Sequence, residues 1–170
     1  MKLLIGGSSY KFFHLKDFAD ELENLSIECK LVHDTDFADG YPSRKLSTWL
    51  KRNGKFKNLI NDFKPDAVFV DRQRHFGLEA LNNEVPLFVH LRGNYWEEMK
   101  MARKTLYSSP PKKLAINKWD DIASQVFQGS KIILPICKHL ENVVKNTIRK
   151  NLHQFCIKEL HRKTGFVQMV

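Results

Sequence analysis

A chain of 170 residues is one ordinary domain, large enough to build a core without disulfides or metal ions. Its hydrophobic fraction of 42% is globular, and no apolar run reaches the roughly 20 residues that a membrane-spanning helix needs. The net charge of +9 favours phosphate-bearing partners: a nucleotide, an anionic lipid surface or a nucleic acid.

That charge is unevenly spread. Residues 1–40 carry 4 basic and 8 acidic side chains, whereas residues 41–64 carry 7 and 1. Residues 65–137 are near neutral with 10 and 8, and 138–170 are basic again with 7 and 2. Each basic segment taken alone also fits a solvated helix face. Met1–Gly7 is a short strand-like run rather than a secretory signal. The three cysteines, Cys29, Cys137 and Cys156, have no CxxC spacing. They read as reduced thiols packed in a cytoplasmic protein.

In chain order, Lys2–Ile5 reads as a first strand running into Gly6-Gly7-Ser8-Ser9. Glycines there permit a tight turn and close approach of a ligand to backbone N–H groups. The order is not GxGxxG, so no dinucleotide fingerprint is present. Leu15, Phe18, Ala19, Leu22 and Leu25 then recur at helical spacing. Ile27–Val32 predicts a second strand near a sheet edge, followed by a loop over 34–42. Ser43 is placed to cap a long basic helix striped by Leu46, Trp49, Leu50, Phe56, Leu59, Ile60 and Phe63, which Gly54 kinks or splits. Ala67–Val70 predicts a third, buried strand ending in Asp71-Arg72-Gln73-Arg74-His75.

A short helix around Gly77–Leu81 leads to a fourth strand over 86–91. Its apolar run Leu87–Val89 fits burial on both faces, and it changes abruptly to His90, Arg92, Gly93 and Asn94, then Tyr95 and Trp96. A helix over 94–107 carries Tyr95, Met99, Ala102 and Leu106 on one face. Ser108-Ser109-Pro110-Pro111 breaks it, and a helix over about 112–127 follows, burying Ala115, Trp119, Ile122, Ala123 and Val126. Lys131–Leu134 predicts the fifth strand, and a last helix presents Leu140, Val143, Val144 and Ile148.

Five alternations of strand and helix predict an α/β fold, a single Rossmann-like doubly wound parallel sheet of about five strands. The expected strand order is 3-2-1-4-5, which would set strands one and four side by side. Gly6-Gly7 and His90-Arg92 would then share one crevice outside the carboxyl ends of the strands. A neutral imidazole at His90 suits a general base or a sugar-orienting group, although backbone groups can equally satisfy a strand-end histidine. Arg74 and Arg92 suit bidentate binding of phosphate or carboxylate, or surface salt bridges. Of Tyr95 and Trp96, one suits an aromatic platform and the other the core. The seven histidines share no ligand spacing with cysteines or carboxylates, so no metal is expected. GxSxG, Walker A and kinase motifs are absent.

Three stretches together resemble the N-terminal half of a GT-B glycosyltransferase, nearest to glycosyltransferase family 4. They are the Gly6-Gly7 loop, the strand Phe88-Val89-His90-Leu91-Arg92-Gly93-Asn94, and Gly129-Ser130-Lys131-Ile132-Ile133-Leu134-Pro135-Ile136-Cys137-Lys138. The last departs from the family pattern, with Gly-Ser for Ala-Asp and Cys137 for a serine. The resemblance covers about residues 1–148 and leaves 149–170 as a basic tail without the Pro-Asn-Gly turn that leads into a second domain. It implies a retaining transfer from a nucleotide-sugar donor, with His90 catalytic. Gly6, Gly7, Ser8, Arg74, Arg92, Asn94 and Trp96 would contact substrate, and no cofactor is implied. The acceptor would be phosphate-bearing or lipid, at an anionic membrane surface in the cytoplasm. The donor-binding domain has no room in this chain, so the chain would need a partner chain supplying it, or be a non-catalytic remnant. Two alternatives stand beside this: a non-catalytic nucleotide- or phosphate-binding module, and a basic nucleic-acid-binding protein reading through 44–64. The acidic first 40 residues and the lack of a reading motif count against nucleic acid.

Overall fold

The computed structural model describes residues 1–43, 49 and 54–148. They form an α/β fold around one five-stranded, all-parallel sheet flanked by helices. The strands are β1 (Lys2–Gly7), β2 (Glu28–His33), β3 (Ala67–Val70), β4 (Leu87–Leu91) and β5 (Ile132–Pro135). The helices are α1 (Phe12–Asn24), the single turn α2 (Asp34–Phe37), α3 (Gly54–Phe63), α4 (His75–Asn82), α5 (Tyr95–Thr105), α6 (Pro110–Gly129) and α7 (Lys138–Ile148). A 3-10 turn at Ser9–Lys11 joins β1 to α1.

The sheet order is β2-β1-β3-β4-β5, which corrects the expected 3-2-1-4-5. β1 pairs with β3 in the register Leu3↔Ala67 to Gly6↔Val70, so β3 separates β1 from β4. The order in which strands are added therefore reverses between β1 and β3, while all strands stay parallel.

Side chains alternate across the sheet, as the pleat requires. Leu4, Val68, Val70, Leu87, Val89, Leu91 and Ile133 face the larger core with Phe56, Phe63, Phe76, Ile122, Val126, Phe127 and Val144. Leu3, Ile5, Ala67 and Phe69 face a smaller core with Leu15 and Ala19 of α1. β3 is buried on all four residues, as a central parallel strand should be, whereas β2 is half-exposed at the sheet edge. Helix-to-strand turns after α1, α3 and α4 each pass through a left-handed residue, Ser26, Lys64 and Glu84.

Several local expectations need correction. Leu25 and Leu106 are exposed rather than packed, at 71% and 63%. In α6 the buried residues are Ile116, Ile122, Ala123, Val126 and Phe127, with Ala115 and Trp119 only half-buried. The helical turn α2 occupies the start of the expected 34–42 loop. Cys137 is exposed, and Cys29 is half-buried with burial pushing its thiol pKa up. The expected long basic helix is seen from Gly54 onward; Leu46 and Leu50, and the tail 149–170, lie outside the described residues. Among the described residues no helix is long and apolar enough to cross a membrane.

Candidate functional site

A cleft of about 540 Å³ opens at the carboxyl edge of the sheet, over the ends of β3 and β4. Its floor is Asp71–Arg74 and His90–Gly93. One wall is the face of α5 that carries Tyr95, Met99 and Ala102, continuing to Leu106 and Tyr107; another is Ile116 and Trp119 of α6. The stripe read on α5 from its spacing is thus turned to the cleft, and α5 contains no fully buried residue. The helix is tied down instead by Arg103 to Asp120 at 2.7 Å and by Trp96 stacked on Phe127, centroids 5.2 Å apart.

Asp71 organises the floor. It follows buried β3 directly, and its side chain is 0% exposed. Its Oδ1 faces His90 Nδ1 at 3.2 Å and Arg92 Nε at 3.1 Å, and Lys11 Nζ stands 3.5 Å from Oδ2. Burial pushes its carboxyl pKa up, but the His90 hydrogen bond and the charges of Arg92 and Lys11 outweigh this and hold it below the ordinary value. Asp71 is therefore a carboxylate, which can only accept, so His90 Nδ1 carries the proton that it donates. Nε2 is left without a protein partner among the described residues, on a residue that lines the cleft.

Arg72 and Arg74 lie on the same floor with no carboxylate at ion-pair distance among the described residues. The guanidinium of Arg74 lies 4.5 Å from the Trp119 ring centroid, a cation–π contact. Crowding by protein and then the neighbouring charge of Arg72 lower the pKa of Arg74, which remains a cation as arginines do. His75 also meets the Trp119 ring edge-on, centroids 5.3 Å apart, and hydrogen-bonds the Tyr41 carbonyl at 3.1 Å. Burial lowers its pKa, which favours the neutral ring.

Of the residues anticipated for the site, His90, Arg74 and Arg92 line the cleft. Gly6 and Gly7 do not: they are the last residues of β1, and neither has a positive φ. A Cβ on Gly6 would lie 2.6 Å from the Phe76 ring, and one on Gly7 would lie 2.1 Å from Leu15 Cδ1. Their missing side chains make room for Phe76 of α4 and Leu15 of α1, which pack on β1. Ser8 is buried, precedes the 3-10 turn, and its Oγ has no hydrogen-bond partner among the described residues. Asn94 caps α5 by accepting from Glu97 N at 3.3 Å, and Trp96 packs against the core, so Tyr95 is the aromatic of that pair which meets the cleft.

Lys11, Asp71, Arg72, Tyr107 and Trp119 also line the cleft, beyond the residues expected at the site from the sequence. Asp71 and Arg72 carried a signal, a run of charge at the end of a buried strand. Trp119 carried none, because its place beside Arg74 depends on how α6 crosses the sheet.

Among the described residues no group of three or more His, Cys, Asp or Glu is placed to hold a metal ion. No protein-family model, curated protein or solved structure matches this chain.

Proposed function

We propose that this chain binds a phosphate-bearing sugar ligand in the β3–β4 cleft and acts as the acceptor-side half of a retaining glycosyltransferase using a nucleotide-sugar donor. The carrying observation is the Asp71–His90 pair, which opens into a cleft lined by arginines and aromatic rings. Arginine matches phosphate oxygens in a planar fork, and aromatic faces suit the apolar face of a sugar or base. Asp71 fixes the tautomer of His90, so Nε2 accepts a hydrogen bond from a ligand hydroxyl. The retaining stereochemistry, the nucleotide-sugar and the family itself come from the resemblance of the Phe88–Asn94 and Gly129–Lys138 stretches. On this reading, a partner chain supplies the donor-binding domain, and the acceptor is a phosphate-bearing or lipid molecule met at an anionic membrane surface.

The test is thermal melting of the full chain against nucleotide-sugars, free nucleotides, sugar phosphates and polyprenyl-phosphate analogues. A ligand that binds only the folded state raises the midpoint increasingly with its concentration. A shift with sugar- or polyprenyl-phosphates that His90→Ala diminishes is the expected result. No shift with any phosphate-bearing sugar or lipid overturns the proposal. A second reading, a non-catalytic phosphate-binding module, draws on the same arginines. It predicts equal shifts for free nucleotides and sugar-bearing ligands, indifferent to His90→Ala. The nucleic-acid alternative rests on residues 44–64, most of whose cations (Arg44, Lys45, Lys51 and Arg52) lie outside the described residues.

A further inference from the structure

The basic side chains of the cleft fall into two groups that differ in their existing partners. Lys11, His90 and Arg92 converge on the single carboxylate of Asp71. Arg72 and Arg74 have no such pairing: no carboxylate among the described residues comes within ion-pair distance of either. Asp34, the first residue of α2, feels the charge of both arginines, Arg72 more than Arg74, but it is itself buried, and burial outweighs them so that it holds its proton more tightly than an ordinary aspartate. Two adjacent guanidiniums repel in the free protein, and an anion between them relieves that repulsion. Trp119 holds Arg74 in place at 4.5 Å without neutralising it. α4 starts immediately after Arg74, which offers no side-chain cap, so the free N–H groups of its first turn add positive potential to the same edge. Beside these cations, Met99, Ala102, Leu106 and Ile116 give the cleft a largely apolar flank.

We infer that Arg72 and Arg74, rather than Arg92 and Lys11, hold the phosphoryl group of the ligand. The ligand is then a phosphate monoester or diphosphate whose organic part lies along the α5–α6 flank. This rests on the reading of the cleft as a sugar-phosphate site, and it adds the direction in which the ligand lies. The phosphate sits at the β3 end, and the hydroxyl-bearing part reaches the Nε2 side of His90 at the β4 end. A prenyl phosphate and a soluble sugar phosphate share this chemistry.

The experiment is isothermal titration of the full chain at low salt with pyrophosphate, glucose 1-phosphate, farnesyl phosphate and UDP-glucose. Wild type is compared with Arg72→Gln, Arg74→Gln, Arg92→Gln and Lys2→Gln, each checked by melting. Lys2 pairs with Glu28 at the amino edge of the sheet, away from the cleft, and controls for the loss of one positive charge. Losing a charge-assisted phosphate contact should weaken pyrophosphate binding about tenfold or more in Arg72→Gln and in Arg74→Gln. Lys2→Gln should change it by less than about twofold, with Arg92→Gln in between. Tighter binding of farnesyl phosphate than of glucose 1-phosphate, or the reverse, supports the inference and identifies the source of the phosphate. An equal loss in Arg92→Gln and Arg74→Gln, or no binding of pyrophosphate to wild type, overturns it. If UDP-glucose binds wild type and Arg74→Gln alike, the arginine assignment falls while the sugar reading stands. If pyrophosphate needs Arg72 and Arg74 but no sugar-bearing ligand or prenyl phosphate binds more tightly, the assignment stands and the glycosyltransferase reading falls.

Discussion

The carboxyl ends of β1 and of β3–β4 look equally promising as ligand edges, and the chain uses them differently. At β1, Gly6 and Gly7 are filled from both sides by Phe76 and Leu15, so their role is to let helices sit close to the strand. At β3 and β4, polar side chains leave the sheet immediately after fully buried apolar residues and meet around Asp71. A glycine pair after a strand signals close approach, but not what approaches. A run of charges after a buried strand is more informative, because such charges need either partners or a ligand.

The difference can be attacked from both ends. The largest expected effect is Phe76→Ala, which empties the space beside Gly6 and should cost about 3–5 kcal/mol in urea unfolding. The double variant Gly6→Ala/Phe76→Ala should recover part of that loss if the glycine exists for the ring. Next is Asp71→Asn, which leaves Lys11 and Arg92 without their carboxylate and should cost about 3 kcal/mol near pH 7. Because the folded-state pKa of Asp71 is depressed, its stabilisation is complete above the unfolded value of about 3.9 and disappears as pH falls through the folded value. Unfolding curves of Asp71→Asn should therefore vary less below about pH 4 than those of wild type.

Gly7→Ala pushes a methyl into Leu15 and should cost about 1–3 kcal/mol while leaving phosphate binding intact. A loss of binding without loss of stability would instead place the ligand at β1. The smallest effect is expected of Asp34→Asn. The carboxyl of Asp34 is raised chiefly by burial, so its ionisation opposes folding as pH climbs above the unfolded value of about 3.9. The amide keeps the oxygen that accepts from Thr35 N, and the variant should gain about 0.5–1 kcal/mol at neutral pH. Opposite signs for Asn at 34 and at 71 would separate a buried acid that no cation pairs directly from one held by Lys11, Arg92 and the His90 hydrogen bond.

Much of this fold is legible in the order of residues. Leu87–Val89 and Ala67–Val70 are short apolar runs, and α1, α6 and α7 show helical spacing, so the alternation of elements can be read directly. The strand order cannot, because β1 presents the same apolar residues to any parallel neighbour. The return of the chain to the far side of β1 after α3 decides it. That pairing puts Asp71 between the two expected halves of the site and removes Gly6-Gly7 from the cleft. His90, Arg74 and Arg92 were readable as polar residues at strand ends. The partners that give them distinct tasks, Asp71 for two of them and Trp119 for the third, come from residues that only folding brings together.

The most direct test of the account is an amide chemical-shift map of the full chain titrated with a sugar 1-phosphate. Saturable shifts are expected at Asp71–Arg74, at His90–Tyr95 and around Trp119, and should be lost in Arg74→Gln. Shifts confined to β1 and the start of α1, or to α3, or none at concentrations where phosphate sites fill, would contradict it.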